Sequence, residues 1–525
     1  MSREVCRHLL FVYNSKMICM KEALLSRIND VLEYAIGNIQ RIDPESDLWN
    51  ESLGPSIAFS DKVVAETCLL ALVVHRFAGK RKEFNDKLLA LGARLSPYIR
   101  NDHNRMLLLR NPEAAMVFGL GHAALDAIGI PDEQFGFLIR RQFVSSEIFN
   151  AERIPYRKLD LIWLHNLLCK QQELAFNEVL PHSILKSDSH PIYMSSYDTY
   201  ALTHGLMYIT DFGRRDPSGL IDIEHVAAVI EACIAFHLLS DNLDLLGELI
   251  MAYAMTRRPW TPYVHLAWRF FTATWDRLGF LPCPTFDSKV FTSLQPEERP
   301  PYAFKHTYHT TFVGSILCCV LGETFAPGGS PEEGNSPLLP TSTLEEIAST
   351  VVECIGLAEQ FLIVRTGRKW EDLVSGYGLF PAKWSHETVI DYLAGIMEEC
   401  FGGRGTAQWL VSYIMEPRNH ADPKLKTIVL DALLIHAVRD YNLMLVVNLL
   451  SLIADQDLRL TITIVKAVEF LCRQQLACGA IGAYFVKKEN IERQEAVSMT
   501  VAVAGCLKAI CKTGKHPILL TTWSD

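Results

Sequence analysis

The densest run of chemically capable side chains in this sequence is Tyr197-Asp-Thr-Tyr-Ala-Leu-Thr-His-Gly-Leu-Met-Tyr-Ile-Thr-Asp-Phe-Gly213. On a helix, steps of three and four residues return to the same side. Tyr197, His204, Tyr208 and Asp211 would then share one face, with Tyr200 at its edge. An imidazole beside a carboxylate can act as a general acid–base pair, and rings around it would line a cavity. The plainer reading makes His204 and Asp211 satisfied core or cap residues, with Phe212-Gly213 ending the helix.

A second run is Ser240-Asp-Asn-Leu-Asp-Leu-Leu-Gly-Glu248. Asp241, Asp244 and Glu248 fall at i, i+3 and i+7, one face of one helix, and such oxygen ligands suit Mg²⁺. The plainer reading has Asp241 as an N-terminal cap and Glu248 on a solvated face. Leu243, Leu245, Leu246, Leu249 and Ile250 make the helix otherwise buried. Acids on such a helix carry more information than acids on a charged one. In Phe304-Lys-His-Thr-Tyr-His-Thr-Thr311, His306 and His309 at i, i+3 could ligate a metal, bind an anion or line a polar cavity. Asp160 sits in an apolar stretch, facing a cavity or paired with Arg157. Trp163, Trp260, Trp268, Trp275 and Trp370 could wall an apolar pocket, or simply pack the core. Nucleotide-binding glycine loops, a G-x-S-x-G elbow and H-E-x-x-H are all absent from the sequence.

The elements that must position these residues read as helices. From Thr343 to Thr366 apolar residues recur at threes and fours, Thr343 with Glu346 suggests a capping box, and Gly367 follows where a helix would stop. Ser385 opens another helix that ends at Gly402-Gly403. Ser60 to Gly79 is apolar almost all round. Thr461-Ile-Thr-Ile-Val465 alternates like a strand but runs straight into helical periodicity, so it reads as helix. The class expected is all-α, built of antiparallel helix pairs. Proline-rich Leu281–Lys305 and the Pro/Gly-rich stretch Ala326–Ser342 interrupt the rhythm. They suggest an N-terminal helical domain or half at 1–285, a linker region with one helix at 286–343, and a C-terminal domain or half at 344–525.

Composition narrows the classes. Of the 525 residues, 49% are hydrophobic and 21% charged, which excludes a disordered chain. Lys and Arg number 50 against 60 Asp and Glu, a formal charge of −10, so no nucleic-acid partner is expected. The fourteen cysteines form no C-x-x-C and sit in apolar runs. They read as buried reduced thiols of a cytoplasmic protein. No signal peptide is read at the N-terminus, and no apolar run reaches the roughly 18 residues of a spanning helix, which leaves only peripheral membrane contact open.

Near the C-terminus, Ala467-Val-Glu-Phe-Leu-Cys-Arg-Gln-Gln475 is followed by Gly479-Ala-Ile-Gly-Ala-Tyr-Phe485. This resembles the helix-end repeat of the α/α-toroid superfamily, which includes class II terpene cyclases and prenyltransferase β-subunits. In that repeat a glutamine ties the turn and an aromatic packs on the next helix. Cys478 stands where the usual acid would be, and Ile481 where the usual aromatic would be. A looser echo is Ser375-Gly-Tyr-Gly-Leu-Phe380. Ser240, Asp244 and Glu248 resemble the second metal motif of class I terpene synthases, although the D-D-x-x-D partner is missing, as is the D-x-D-D acid of class II. The resemblance implies an α/α barrel and a lyase or isomerase that cyclises an isoprenoid or similar apolar substrate. His204, Asp211, Asp241 and Tyr197 would be catalytic, Tyr208, His309, Trp163 and Trp268 would contact substrate, and Asp244 and Glu248 would hold Mg²⁺. The alternatives are a non-enzymatic scaffold binding a protein or apolar ligand, whose polar residues would be dispersed, and a glycan-active barrel enzyme with paired carboxylates in an open groove.

Overall fold

The computed structural model describes residues 3–512 except 43–51, 55–56, 145–146, 171–172, 325–333, 338, 378–384, 403–404, 420–421, 457 and 483–493. The described chain is all-α apart from a short antiparallel pair, β1 (Ser52–Gly54) with β2 (Ile57–Ala58). It divides into two compact units. Unit 1 comprises 1–188, 196–226 and 242–335; unit 2 comprises 189–195, 227–241 and 336–525.

Unit 1 contains α1 (Arg3–Asn38), α2 (Phe59–Ala78), α3 (Lys82–Ile99), α4 (Asp102–Arg110), α5 (Ala114–Ala127), α6 (Glu133–Val144), α7 (Glu147–Asn150), α8 (Pro155–Leu168) and α9 (Ser196–Thr210). Helix α10 (Ile223–His237) opens in unit 1, and its residues from Ala227 onward belong to unit 2. Unit 1 continues with α11 (Leu243–Met255), α12 (Pro262–Leu278), α13 (Ser288–Ser293), α14 (Arg299–Lys305) and α15 (Tyr308–Thr324). Its centre is α15, which packs on α1, α2 and α11, while α11 also meets α9 and α12. Every residue of α11 is buried, its two acids Asp244 and Glu248 included. Gly247 is required there: a Cβ at this position would lie 2.8 Å from the Phe271 ring of α12.

Unit 2 holds α16 (Thr341–Thr366), α17 (Trp370–Tyr377), α18 (His386–Phe401), α19 (Gly405–Ile414), α20 (Pro423–Arg439), α21 (Leu443–Asp455), α22 (Ile462–Arg473) and α23 (Gln494–Lys512). Helix α23 packs on α16, α17 and α21, and α22 packs on α16 and α20.

Several local expectations hold and others need correction. Gly367 ends α16 in the left-handed region at φ 67°. Ser385 caps α18 by accepting from the Thr388 amide, and Thr461 caps α22 in the same way, so the alternating Thr461–Val465 segment is helical. The capping box at Thr343 does not form, because α16 starts two residues earlier at Thr341 behind Pro340. The proposed linker 286–343 is mostly part of unit 1, since α13, α14 and the central α15 lie inside it and the division falls between Asn335 and Ser336. Much of the Ala326–Ser342 stretch, and Gly378–Phe380 of the looser echo, lie outside the described residues. By length and mean hydropathy alone α16 and α23 could cross a membrane, a test that buried core helices also pass. The apolar window of α23 is 78% buried within the protein, which accounts for its composition; that of α16 is 44% buried.

In the stretch that resembles the toroid repeat, Gln475 donates from Nε2 to the Cys354 carbonyl of α16 (2.7 Å) and to the Gly479 carbonyl (3.3 Å). It thus ties the turn to a neighbouring helix. The aromatic pair Tyr484-Phe485 lies outside the described residues.

Candidate functional site

The site begins with two acids one turn apart on α11. Asn242 caps this helix by accepting from the Leu245 amide, and the run Leu-Asp-Leu-Leu-Gly-Glu-Leu-Ile then places Asp244 and Glu248 on one face. They are 2% and 1% exposed. A carboxylate this deep is tolerated only with partners. Asp244 accepts from Tyr200 Oη at Oδ2 (2.7 Å) and from Thr310 Oγ1 at Oδ1 (3.3 Å). Glu248 accepts from Thr203 Oγ1 at Oε2 (2.5 Å). Each acid also faces an imidazole. His309 Nε2 is 3.2 Å from Asp244 Oδ1, and His204 Nε2 is 3.4 Å from Glu248 Oε1.

The far side of His309 is equally defined. Its Nδ1 lies 2.7 Å from Oε2 of Glu66 on α2, and Lys62 stands 3.7 Å from the same carboxylate. Burial disfavours charge on His309, but Glu66 and Asp244 at opposite ring nitrogens outweigh it and hold the imidazolium well above the usual histidine range. Burial likewise opposes ionisation of Asp244, yet His309 and the Tyr200 hydroxyl keep its carboxyl below the ordinary value. Glu66 is lowered against its burial by His309 and then Lys62. His204 is desolvated too, and Glu248 raises it nonetheless.

Around His204 the walls are aromatic. The rings of Tyr156, Tyr200 and Tyr208 have centroids 6.0, 5.8 and 6.1 Å from the imidazole, and Trp163 packs 5.6 Å from Tyr208. Asp160 of α8 faces this group, paired with Arg157 at 3.4 Å. Burial pushes the Asp160 carboxyl up, and Arg157 and His204 offset that only in part. On α9, Thr199, Thr203 and Leu206 are buried, whereas Tyr200, His204 and Tyr208 are half-buried. The carboxylates therefore lie at the bottom, with imidazole and phenol groups nearer to solvent. The Nδ1 atom of His204 is itself enclosed and meets no hydrogen-bond partner among the described residues.

Of the residues singled out in the sequence, His204, Tyr208, His309, Asp244 and Glu248 are brought together, with Trp163 behind Tyr208. Asp211 is not the partner of His204. Helix α9 ends at Thr210, and Asp211 turns into the left-handed region at φ 48°. Its carboxylate accepts instead from Arg76 (2.9 Å) and Trp163 Nε1 (2.8 Å). Tyr197, in the first turn of α9, is 83% exposed. Asp241 (φ 57°) precedes the cap and belongs to unit 2, so it does not share a helix face with Asp244 and Glu248. Trp268 stacks on Phe271 and meets Trp260 edge-on, as core packing does. His306 bonds Thr285 and packs on Tyr302 rather than joining His309. Sequence reasoning missed Glu66, Thr203 and Thr310. Glu66 did leave a signal, as an acid inside the nearly all-apolar run Ser60–Gly79.

Among the described residues, Asp244, Glu248 and His309 form one group whose donor atoms lie within 4.8 Å of one another. Such a group could hold a metal ion or act as an acid–base centre. The open surface depression bordered by Arg81, Lys82, Glu83 and Asp86 carries no comparable chemistry. No curated protein and no solved structure matches the chain. A family model described as a domain of unknown function, DUF6895, matches residues 29–319, a span that contains every site residue described above. Because that match covers more than half of the sequence, the chain belongs to the DUF6895 family.

Proposed function

We propose that unit 1 is an enzyme of the lyase or isomerase class that moves a proton to or from a small, largely apolar substrate. One observation carries this reading: two imidazole–carboxylate pairs, His204–Glu248 and His309–Asp244, meet on carboxylates that are almost completely buried. A scaffold gains little from such an arrangement, since burying charges stabilises a fold poorly. Catalytic sites, in contrast, concentrate perturbed ionisable groups.

The two histidines have different roles. His309 is fixed at both nitrogens and, while no cation occupies the site, serves as a stationary charge beside Asp244. His204 is held at Nε2 alone, by a long contact to Glu248, and is half-buried, so it is the group that exchanges a proton with substrate. Glu248 strengthens it as a base, and Asp160 stands beside it as a second acid. The rings of Tyr156, Tyr200, Tyr208 and Trp163 suit an apolar or unsaturated substrate and would stabilise positive charge developing on it. An isoprenoid-like substrate is the class proposed. A toroid-like pairing of helices in unit 2, supported by the Gln475 turn, belongs to the same proposal.

The test is incubation of the wild-type protein in D₂O with a panel of neutral isoprenoids and isoprenoid diphosphates, with products read by mass. Deuterium incorporation that falls at least about 100-fold in His204→Asn is the expected result, the range in which general acid–base groups contribute. Incorporation that is unaffected by His204→Asn refutes the assignment.

A further inference from the structure

We propose that Asp244, Glu248 and His309 bind one divalent transition-metal ion of the Zn²⁺, Mn²⁺ or Fe²⁺ class. The inference rests on reading this cluster as a catalytic centre and supplies that centre with a Lewis acid.

The orientation of His309 is the first argument. Its Nδ1 faces Glu66 at 2.7 Å, which leaves Nε2 directed at Asp244. A carboxylate behind the second nitrogen is the usual companion of a metal-bound histidine, because it fixes the tautomer and turns the ring. Something positive must then lie between Nε2 and Asp244, either a proton or a cation.

The spacing of the donors also suits one ion. Donors about 2.1 Å from one ion lie roughly 3.0 to 3.4 Å apart at octahedral or tetrahedral angles. His309 Nε2 and Asp244 Oδ1 are already 3.2 Å apart. All three donor atoms lie within 4.8 Å of one another, which brings Glu248 within reach of the same ion.

The third argument concerns the outer oxygens. Tyr200 holds one oxygen of Asp244 and Thr203 holds one oxygen of Glu248. The remaining oxygens face the imidazoles: Asp244 Oδ1, which also accepts from Thr310 Oγ1 (3.3 Å), and Glu248 Oε1. Hydroxyls thus orient both carboxylates while sparing a lone pair on each.

Ligand type selects the ion. Ca²⁺ takes six to eight oxygens, and Mg²⁺ prefers oxygen alone, whereas one imidazole with two carboxylates suits Zn²⁺, Mn²⁺ or Fe²⁺. Three protein donors leave a coordination position open, as in catalytic rather than structural sites. His204, beside Glu248, is placed next to whatever occupies that position.

The experiment uses full-length protein freed of metal by chelation. Zn²⁺, Mn²⁺, Mg²⁺ and Ca²⁺ are titrated calorimetrically, with Co²⁺ absorption as a second readout. The expected result is one ion per chain, with Zn²⁺ or Mn²⁺ at least tenfold tighter than Mg²⁺ and Ca²⁺. Binding should weaken about 10- to 100-fold in Glu66→Gln and vanish in His309→Gln. The Co²⁺ spectrum of the wild type reports an imidazole–carboxylate environment even where a variant fails to fold. Absence of a one-to-one ion in the wild type, or unchanged binding in a folded His309→Gln, overturns the metal centre. The deuterium test on His204 is read separately, so the metal can fail while proton transfer stands, and the reverse.

Discussion

Glu66→Gln is the most informative single change, because it removes a charge from the centre while keeping its shape. Glutamine can still accept the His309 Nδ1 proton, so only the electrostatic part is lost. With N and O 2.7 Å apart, the charge centres lie about 4 Å apart, worth about 4 kcal/mol at an effective dielectric constant of ~20 and about 1 kcal/mol in water. Both side chains are about a quarter exposed, at 24% and 22%, so the value falls between these limits. The His309 pKa should drop toward the ordinary histidine range accordingly. The assay is NMR titration of histidine-labelled, metal-free protein. His309 is raised in the fold, so its contribution to stability is complete below the unfolded value near 6.5 and is lost as pH rises through the folded value. In Glu66→Gln that contribution should be smaller, and its loss should be complete at lower pH. A wild-type His309 titrating near 6.5, or equal titrations in the two proteins, would refute the reasoning.

Two further outcomes follow from the packing. Gly247→Ala should destabilise unit 1 by about 1 to 3 kcal/mol in urea unfolding, since its Cβ must displace the Phe271 ring and Val313; an unchanged midpoint would contradict the close packing of α11 on α12. His122 is almost fully buried, accepts at Nδ1 from Arg100, and is held down to about 4 by burial first and by Arg100 second. A depressed histidine contributes stability that is present above about 6.5 and lost as pH falls toward 4. Wild type should therefore lose up to about 3 kcal/mol more than His122→Gln across that window, and parallel pH curves would count against it.

Helix class and many helix ends were legible because apolar period and caps are local properties. Ser385, Thr461 and Gly367 act where their chemistry predicts. What failed was the geometry of helix ends. Asp211 fits the α9 face by arithmetic, yet the helix stops one residue earlier and a left-handed turn carries its carboxylate to Arg76. Asp241 fits the α11 face by the same arithmetic, but the cap is Asn242. Asp244 and Glu248 were readable because acids inside a leucine-rich helix are informative. His204 and His309 were also singled out, but the pairing was not, and Glu66 was missed because it lies 243 positions from His309 and nothing local links them.

The alternation of units along the chain has a consequence for synthesis. Segments 189–195 and 227–241 belong to unit 2, although unit 1 surrounds them in sequence. No single cut separates the units, and a chain stopped at Asn335 would keep the strip bearing Ile230, Ile234 and Leu238 without the body that strip belongs to. On the ribosome, the 190 residues that follow Asn335 in this sequence take about 10 to 40 s to appear. For that interval the proposed catalytic half is already complete in sequence while an apolar strip within it still awaits its own unit.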